Sequence, residues 1–223
     1  MRRGWVVHRA SDRASVLHGR DLDPGCGRSV WVLEAVAPAL VLGSTQRDDV
    51  VDLRAAQRLG VEVVRRRSGG GAVLLVPGEH VWIDVLIPAG DPLWCDDVVS
   101  SFGWLGAAWC RALAALGLGG AQVTGSLTCR TRVGRLVCFA GLAPGEVALG
   151  EAKLVGLSQR RTRAGARFQC LVHGRWRRDW YEELLAPGLS RVADPDALAG
   201  LAVATVEPGP QRVVDTLVAC LPR

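Results

Sequence analysis

The chain is almost without lysine. Lysine and arginine together number 27 among 223 residues, but only Lys153 is a lysine and the other 26 are arginines. On a solvated surface either residue would serve, whereas a lysine is a compact ammonium and an arginine is a planar fork that stays protonated. Lys153 therefore marks a position that needs a point charge, or it is a remnant of compositional drift. The lysine by itself leaves both readings open.

Segments that would direct the chain into or across a membrane are also missing. Residues 1–20 carry charges throughout and contain no apolar core of a secretion signal. Proline, glycine or charge interrupts every apolar run well short of the roughly 18 residues that a membrane-spanning helix needs. We therefore expect a cytoplasmic protein that does not bind membranes.

Seven cysteines occur, but no Cys-x-x-Cys pair is among them. This spacing favours neither a zinc site nor a disulfide framework, so we expect reduced thiols and no bound metal. The net charge of +5 is modest and fits an acidic partner or a phosphorylated ligand. No known nucleic-acid-binding module is present, and we expect no nucleic-acid partner.

Hydrophobic periodicity predicts an α+β fold, with a mixed, largely antiparallel sheet flanked by helices. Nearly half of the residues are apolar, which is enough for a sizeable core. We predict a single domain over residues 1–223. The expected elements that bear on the site or the core are a hairpin of Ala72–Val76 and His80–Ile87, a helix over Pro92–Leu118, a strand over Arg135–Phe139, a hairpin of Glu146–Leu149 and Ala152–Ser158, and tail helices over Trp180–Leu185, Pro195–Leu201 and Arg212–Leu221.

A basic, glycine-rich segment follows a short predicted strand at Val61–Val64. Its glycines permit backbone conformations closed to other residues, and its N–H groups can surround an anion. Arg65 and Arg66 can each donate a pair of hydrogen bonds to a phosphate or carboxylate. The pattern is neither Gly-x-Gly-x-x-Gly nor a P-loop, so it supports no Rossmann or P-loop site. A simple turn remains the alternative.

Three motifs occur in a specific order. Arg65-Arg66-x-Ser68-Gly69-Gly70-Gly71-Ala72-Val73 comes first, then Cys138-Phe139, then Lys153-x-x-Gly156-x-Ser158-Gln159-x-Arg161. This order resembles the biotin/lipoate protein ligase superfamily, and within it lipoate–protein ligase A and its octanoyltransferase relatives. The resemblance begins near residue 40, with Gly43-x-x-Gln46, and extends to about residue 172.

The resemblance implies a fold, a reaction and its partners. The family has a mixed sheet flanked by helices, and here we expect the catalytic domain without an accessory C-terminal domain. Its ligases use ATP with Mg²⁺ to join lipoate or octanoate to AMP. They then pass the acyl group to a lysine of a lipoyl carrier domain. Such carriers belong to 2-oxoacid dehydrogenase complexes or are the glycine cleavage H protein.

The resemblance also implies roles for individual residues. Lys153 would be catalytic, contacting the acyl carbonyl and the α-phosphate and stabilising charge that develops on oxygen. The residues implied to bind the acyl-adenylate are Gln46, Arg65, Arg66, Ser68, Gly69, Gly70, Gly71, Ala72, Gly156, Leu157, Ser158 and Gln159.

The resemblance thus predicts a ligase that acts through an acyl-adenylate, and Cys138 leaves a second mechanism open. Octanoyltransferase relatives carry a cysteine in a matching Cys-Phe segment, take octanoyl from acyl carrier protein and hold it as a thioester. Cys138 is otherwise a small buried residue in an apolar strand. The chain also departs from the family, because it has Leu74-Leu75-Val76 where the family has a histidine after the triple glycine, and a second family histidine is replaced near Cys170. A degenerate acyl-binding or regulatory protein without turnover is therefore a third reading.

Four arginines lie at the end of the lysine motif or shortly after it: Arg160, Arg161, Arg163 and Arg167. They would either dock an acidic carrier, such as a lipoyl domain or acyl carrier protein, or form a solvated basic turn.

Overall fold

The computed structural model describes residues 4–125, 132–186 and 203–223. The strands are β1 (Val6–Asp12), β2 (Ser29–Ala35), β3 (Ala39–Leu42), β4 (Glu62–Arg65), β5 (Val73–Leu75), β6 (His80–Pro88), β7 (Gln122–Val123), β8 (Val147–Leu149), β9 (Ala152–Thr162) and β10 (Gly165–His173). The helices are α1 (Ala14–Gly19), α2 (Leu53–Arg58), α3 (Gly103–Ala115), α4 (Arg132–Leu136), α5 (Arg178–Leu184) and α6 (Pro210–Cys220).

Seven strands form the larger sheet in the order β1-β2-β6-β10-β9-β8-β7. The β1–β2 pair is parallel, whereas every other neighbouring pair is antiparallel. Cys170 of β10 lies between Ile83 of β6 and Leu157 of β9. The predicted mixed, largely antiparallel sheet with flanking helices is confirmed.

The smaller sheet has the order β4-β3-β5, with β3 parallel to β4 and antiparallel to β5. Val41 and Leu75 of this sheet pack against Trp82 and Leu171 of the larger sheet. Phe139, from the segment that follows α4, belongs to the same buried cluster. An apolar space between two sheets is thus formed close to the three predicted motifs.

The other face of the larger sheet is covered by α3 and α6. Leu105, Trp109 and Leu113 of α3 are fully buried and pack with Val85 and Phe168 of the sheet. This layer is the main hydrophobic core and holds the strands that carry the site. No helix in the described ranges is long and apolar enough to cross a membrane.

The predicted helix over Pro92–Leu118 is too long at its N-terminal end. The α-helix begins at Gly103, after a 3-10 turn at Ser100–Phe102. Trp94 does not join the helix, because its ring lies 4.4 Å from the guanidinium of Arg161 and its indole nitrogen donates to Asp96. The apolar period of a helix continues on both sides of residue 103, but tertiary contacts keep the residues before it out of the α-helix.

Two other predictions are wrong in ways that affect the site. β5 and β6 do not form a hairpin, because β5 pairs with β3 in the small sheet while β6 lies in the large one. Cys138 is not on a strand but opens a 3-10 turn, Cys138–Ala140, directly after α4. The predicted β8–β9 hairpin is confirmed, and the predicted helix at 195–201 lies outside the described residues.

Candidate active site

A pocket of about 60 Å³ lies between the two sheets. Its wall is mainly apolar, with side chains from β3, β5, the 3-10 turn and β10, namely Val41, Val73, Leu75, Phe139 and Leu171. Of the residues predicted to form the site, Arg66, Cys138, Gly156, Leu157 and Ser158 line this pocket. An apolar chain is the type of ligand that such a wall accommodates.

Arg66 organises the glycine-rich loop at one side of the pocket. Its guanidinium is buried and donates to the carbonyl oxygens of Val41 at 3.1 Å, Gly69 at 2.7 Å and Gly71 at 2.9 Å. Gly70 has a φ of 101°, which a residue with a side chain rarely adopts. The arginine and the glycines therefore form one unit, in which the side chain fixes the course of the backbone.

The end of this loop is bonded to the segment that carries the cysteine. The Ala72 N–H donates to the Leu136 carbonyl at 2.7 Å, and the Cys138 N–H donates to the Ala72 carbonyl at 2.9 Å. A Cβ at Gly71 would lie 2.7 Å from the Cys138 nitrogen. Glycine at position 71 thus allows the close approach that brings two distant motifs together.

Lys153 reaches Cys138 from β9 and is almost completely buried. Its Nζ lies 2.6 Å from a carboxylate oxygen of Glu146 and donates to the carbonyl oxygens of Cys138 at 2.9 Å and Gly141 at 3.1 Å. The Cys138 Sγ lies 3.8 Å from the same nitrogen. The only lysine of the chain is therefore placed beside the only predicted nucleophile.

The charge of Lys153 is held by its neighbours. Burial by itself would lower the pKa of this ammonium, but the charges of Cys138 and Glu146 and hydrogen bonds to both outweigh burial, so the pKa is raised. Glu146 is equally buried, and its carboxylate also accepts hydrogen bonds from the backbone N–H groups of Ala143 and Leu157. The lysine and the glutamate thus form a hydrogen-bonded ion pair inside the protein.

Gly156 explains the spacing of the lysine motif. A Cβ at this position would lie 3.2 Å from the Phe139 ring and 3.5 Å from the Lys153 Cε. The Phe139 ring in turn lies 5.1 Å from the Lys153 ammonium, within the range of a cation–π contact. The absence of a side chain at 156 lets the ring and the lysine stem occupy the same small volume.

A short polar bridge crosses the pocket from the glycine-rich loop to the large sheet. The Ser68 hydroxyl donates to Gln169 Oε1 at 2.9 Å, and the Ser158 hydroxyl donates to Ser68 Oγ at 3.2 Å. Ser158 and Gln169 also line the pocket. They provide polar groups on an otherwise apolar wall, and polar groups of this kind orient ligands.

His18 and Trp82 form another part of the wall, with their rings stacked at 4.3 Å. Burial, followed by the charges of Arg167 and Arg66, lowers the pKa of His18 to about 3. The Trp82 indole donates to Asp84, and Asp84 is paired with Arg167 at 2.5 Å in the sheet interior. The histidine is therefore a neutral aromatic group of the pocket at physiological pH.

Several residues predicted to bind the ligand have other contacts in this structure. Gln46 donates to the Leu136 carbonyl at 3.0 Å, and Arg65 bonds to the carbonyl oxygens of Gly43 and Gln46 and to Asp48. Gln159 accepts a hydrogen bond from Ser101, next to α3, and does not line the pocket. Successive strand residues face opposite sides of a sheet, and Ser158 rather than Gln159 faces the loop.

Four residues near the site were not predicted from the sequence: Glu146, His173, Gln169 and His18. Glu146 stands at the start of a hairpin that the sequence did reveal, but its distance from Lys153 depends on strand register. His173 is buried on β10 with its ring 4.4 Å from Phe139. Burial, then His80 and Lys153, lower its pKa to about 3. A buried side chain contributed by a neighbouring strand gives no signal in the local sequence around Lys153.

The predicted basic docking turn is partly wrong. Arg167 is buried and paired with Asp84, and Arg161 donates to the backbone carbonyls of Cys95 and Asp96. Both guanidinium groups are therefore engaged within the fold. In the described ranges, no group of three or more histidine, cysteine, aspartate or glutamate residues is placed to hold a metal ion.

Comparison with known proteins agrees with the motif order. The profile of the family described as "Lipoyl protein ligase A/B catalytic domain" matches residues 20–194. This range includes the glycine-rich loop, Cys138, Lys153 and every residue that lines the pocket except His18. No curated protein sequence matches the chain.

Solved structures share the fold at low sequence identity. A bipartite lipoate protein ligase from Thermoplasma acidophilum is 17% identical with a TM-score of 0.75, and the match covers 97% of this chain and 82% of that one. Protein Ta0514 from T. acidophilum, solved with bound lipoic acid, is 17% identical with a TM-score of 0.73 over 99% of this chain and 84% of that one. A lipoate-protein ligase A bound with ATP is 18% identical with a TM-score of 0.71, over 99% and 84% of the two chains.

Proposed function

The chain belongs to the family of lipoyl protein ligase A/B catalytic domains, and we propose that it attaches a lipoyl or octanoyl group to a lysine of a lipoyl carrier domain. As a member, it is an enzyme of the lipoate-ligase and octanoyltransferase type. The bipartite ligase from T. acidophilum is described with its E2 lipoyl domain as an archaeal lipoylation system, which supports this class of acceptor. The acyl chain would occupy the apolar pocket between the two sheets, beside Cys138.

The geometry favours transfer through a thioester on Cys138. One observation carries this assignment: Cys138 lines the acyl pocket while its Sγ lies 3.8 Å from the Lys153 ammonium. A thiolate is the nucleophilic form of cysteine, and a neighbouring cation favours it. The same ammonium can stabilise the oxygen anion that develops when the carbonyl is attacked.

The reaction would proceed in two balanced steps. The Cys138 sulfur attacks the carbonyl carbon of an acyl thioester on acyl carrier protein, a C–S bond forms, and the carrier thiol leaves with a proton. The ε-amine of the lipoyl-domain lysine then attacks the new thioester. An amide forms, the C–S bond to Cys138 breaks, and the sulfur recovers a proton. Lys153 stays charged throughout and polarises the carbonyl oxygen in both steps.

A ligase that forms an acyl-adenylate is the second candidate. The fold it shares with the ATP-bound lipoate-protein ligase A and the lysine motif favour this reading. Lys153 would then contact the acyl carbonyl and the α-phosphate, with the loop of Arg66, Gly70 and Gly71 beside them. Mg²⁺ in such sites is held largely by phosphates and one or two carboxylates. The carboxylate nearest to Lys153 is that of Glu146, and in this structure it is paired with the Lys153 ammonium rather than free for a metal ion.

Intact mass of a lipoyl carrier domain separates the two candidates. One reaction contains this protein, the carrier domain and octanoyl–acyl carrier protein without ATP, and the other contains octanoate or lipoate with ATP and Mg²⁺. An acyl mass gain in the first reaction alone, with an adduct on this protein, supports the thioester route. A gain in the second alone supports the adenylate route and overturns the thioester. No gain in either overturns the proposed function in favour of acyl binding without turnover.

Substitution of cysteines provides the matched control. Cys138→Ala should abolish transfer by the thioester route and leave the adenylate route intact. Cys170→Ala is the control, because Cys170 lines the same pocket but is buried, and burial raises the pKa of its thiol. Transfer from octanoyl–acyl carrier protein that survives Cys138→Ala would contradict the role of Cys138.

A further inference from the structure

A thioester on Cys138 would be exposed to an amine of the enzyme itself. The Lys153 Nζ lies 3.8 Å from the sulfur that would carry the acyl group. Reacting atoms in near-attack geometry are about 3–3.5 Å apart, and groups held in this way react as if at very high concentration. The reaction requires an amine to attack this thioester, so Lys153 competes directly with the lysine of the carrier domain.

The protonation state of Lys153 decides whether this competition occurs. A neutral amine has the lone pair that attacks a carbonyl, whereas an ammonium has none and can only donate hydrogen bonds to the carbonyl oxygen. Burial of the side chain favours the neutral, reactive form. A buried lysine in this position therefore avoids attacking the thioester only if another group in the site stabilises its charged form.

Glu146 supplies the negative charge that stabilises the Lys153 ammonium against the effect of burial. Its carboxylate lies 2.6 Å from Nζ, is 2% exposed, and is itself held by the backbone N–H groups of Ala143 and Leu157. The other two acceptors of the ammonium, the carbonyl oxygens of Cys138 and Gly141, are uncharged. Among the described groups that face Lys153, Cys138 loses any negative charge once it is acylated, and His173 is neutral.

We propose that Glu146 is a positioning residue that keeps Lys153 as an ammonium, so that the lysine stabilises the Cys138 thioester without taking the acyl group. This inference rests on the thioester route proposed above. The reaction prevented is an S-to-N acyl shift, in which Nζ bonds to the carbonyl carbon and the C–S bond breaks. One proton moves from nitrogen to sulfur. The product, an amide on Lys153, would neutralise the catalytic cation and inactivate the enzyme permanently.

The single lysine of the chain allows an acylated lysine to be assigned without ambiguity. Because Lys153 is the only lysine, any hydroxylamine-resistant acyl adduct on a lysine peptide identifies it. The protein is incubated with octanoyl-pantetheine without a carrier domain, and intact mass is recorded before and after hydroxylamine. Peptide mapping then assigns the adduct to Cys138 or Lys153. The variants are Glu146→Gln, Glu146→Asp and Glu151→Gln, an exposed carboxylate close to the lysine that serves as the control.

At pH 8 the wild type and Glu151→Gln should form a thioester on Cys138 that hydroxylamine removes. Glu146→Gln should form at least about tenfold more amide on Lys153, because losing an opposite charge at this distance changes the neutral fraction of an amine by an order of magnitude or more. Glu146→Asp keeps the charge and should restore part of the protection. Thioester on every variant without extra amide on Glu146→Gln would overturn this inference and leave the thioester route standing.

Two further readouts separate the remaining outcomes. Absence of a Cys138 adduct from the wild type would instead overturn the thioester route, and the inference with it. If Glu146→Gln fails to fold, the wild type is labelled at Lys153 with an amine-reactive acetylating reagent from pH 7 to pH 11. Labelling should begin only at the alkaline end of this range, and the shift from thioester to amide should follow the same pH dependence. Labelling of Lys153 already at pH 7 would contradict a protected ammonium.

Discussion

The Arg66 guanidinium donates to the carbonyl oxygen of Gly69 at 2.7 Å, so the side chain after β4 shapes the loop that follows it. Two further bonds, to Val41 and Gly71, complete the arrangement. An arginine that lines the pocket therefore also holds the backbone on which the pocket depends. We therefore expect a substitution of Arg66 to change both the stability of the fold and the shape of the pocket.

Arg66→Lys should lower the free energy of unfolding by about 2–3 kcal/mol, since a lysine cannot reproduce the fork and leaves buried carbonyl oxygens unpaired. Arg67→Lys is the matched control, because the Arg67 side chain is 53% exposed and should change stability by less than about 0.5 kcal/mol. Urea unfolding followed by tryptophan fluorescence measures both. Equal stability of the two variants would contradict the structural role of Arg66.

Gly71→Ala should slow acyl transfer by about 10- to 100-fold. A Cβ at this position would lie 2.7 Å from the Cys138 nitrogen, and displacement of a reacting group by about 1 Å has effects of this size. Gly69→Ala should be close to neutral, because a Cβ there has no atom within 4 Å and its φ is not positive. Transfer rates with the carrier domain at saturation compare the pair. A slow Gly69→Ala variant with a normal Gly71→Ala variant would reverse the argument.

The buried histidine His173 should make the fold acid-sensitive. Its pKa is lowered to about 3, whereas in the unfolded chain it is about 6.5. Between these values the unfolded chain binds a proton that the folded chain does not. The stability that neutral His173 maintains is complete above about pH 6.5 and decreases as the pH falls, by about 1.4 kcal/mol per pH unit.

His173→Phe should remove that part of the slope, and the ring can still pack against Phe139 and Trp176. The measurement is the free energy of unfolding at a series of pH values from 7 to 4. His8→Phe, at a partly exposed ring stacked on Trp31, is the control. An unchanged slope in His173→Phe would show that other groups cause the acid sensitivity.

His18→Leu should increase the affinity for octanoate relative to lipoate. His18 is a neutral imidazole in the pocket wall, and covering a polar group with an acyl chain that offers no hydrogen bond costs about 1–3 kcal/mol. Removing the imidazole should therefore improve octanoate binding by about fivefold or more. Calorimetric titration with both acids measures the ratio, and octanoate affinity that falls with lipoate affinity would argue that His18 only supports the wall.

Local sequence patterns predict much of the fold. β6 was predictable because its apolar residues recur with the period of a strand. The β8–β9 hairpin was predictable because Gly150 separates two short, mainly apolar runs. Residues 92–102 of the helix predicted at 92–118 are not α-helical. There the Trp94 ring packs against the Arg161 guanidinium rather than against a helical neighbour. The β5–β6 hairpin failed for a related reason, because the choice of partner strand is a long-range decision.

The sequence by itself determined which residues we predict to carry the chemistry. A single lysine, a Cys-Phe pair and a glycine run after two arginines identify the family because each residue has a local chemical or conformational property. Only the tertiary structure decided how they work together. It placed Glu146 against Lys153, Gly71 against Cys138 and His18 against Trp82. Such contacts depend on strand register and on the packing of two sheets, which are fixed by the burial of side chains throughout the domain and leave no local signal at these positions.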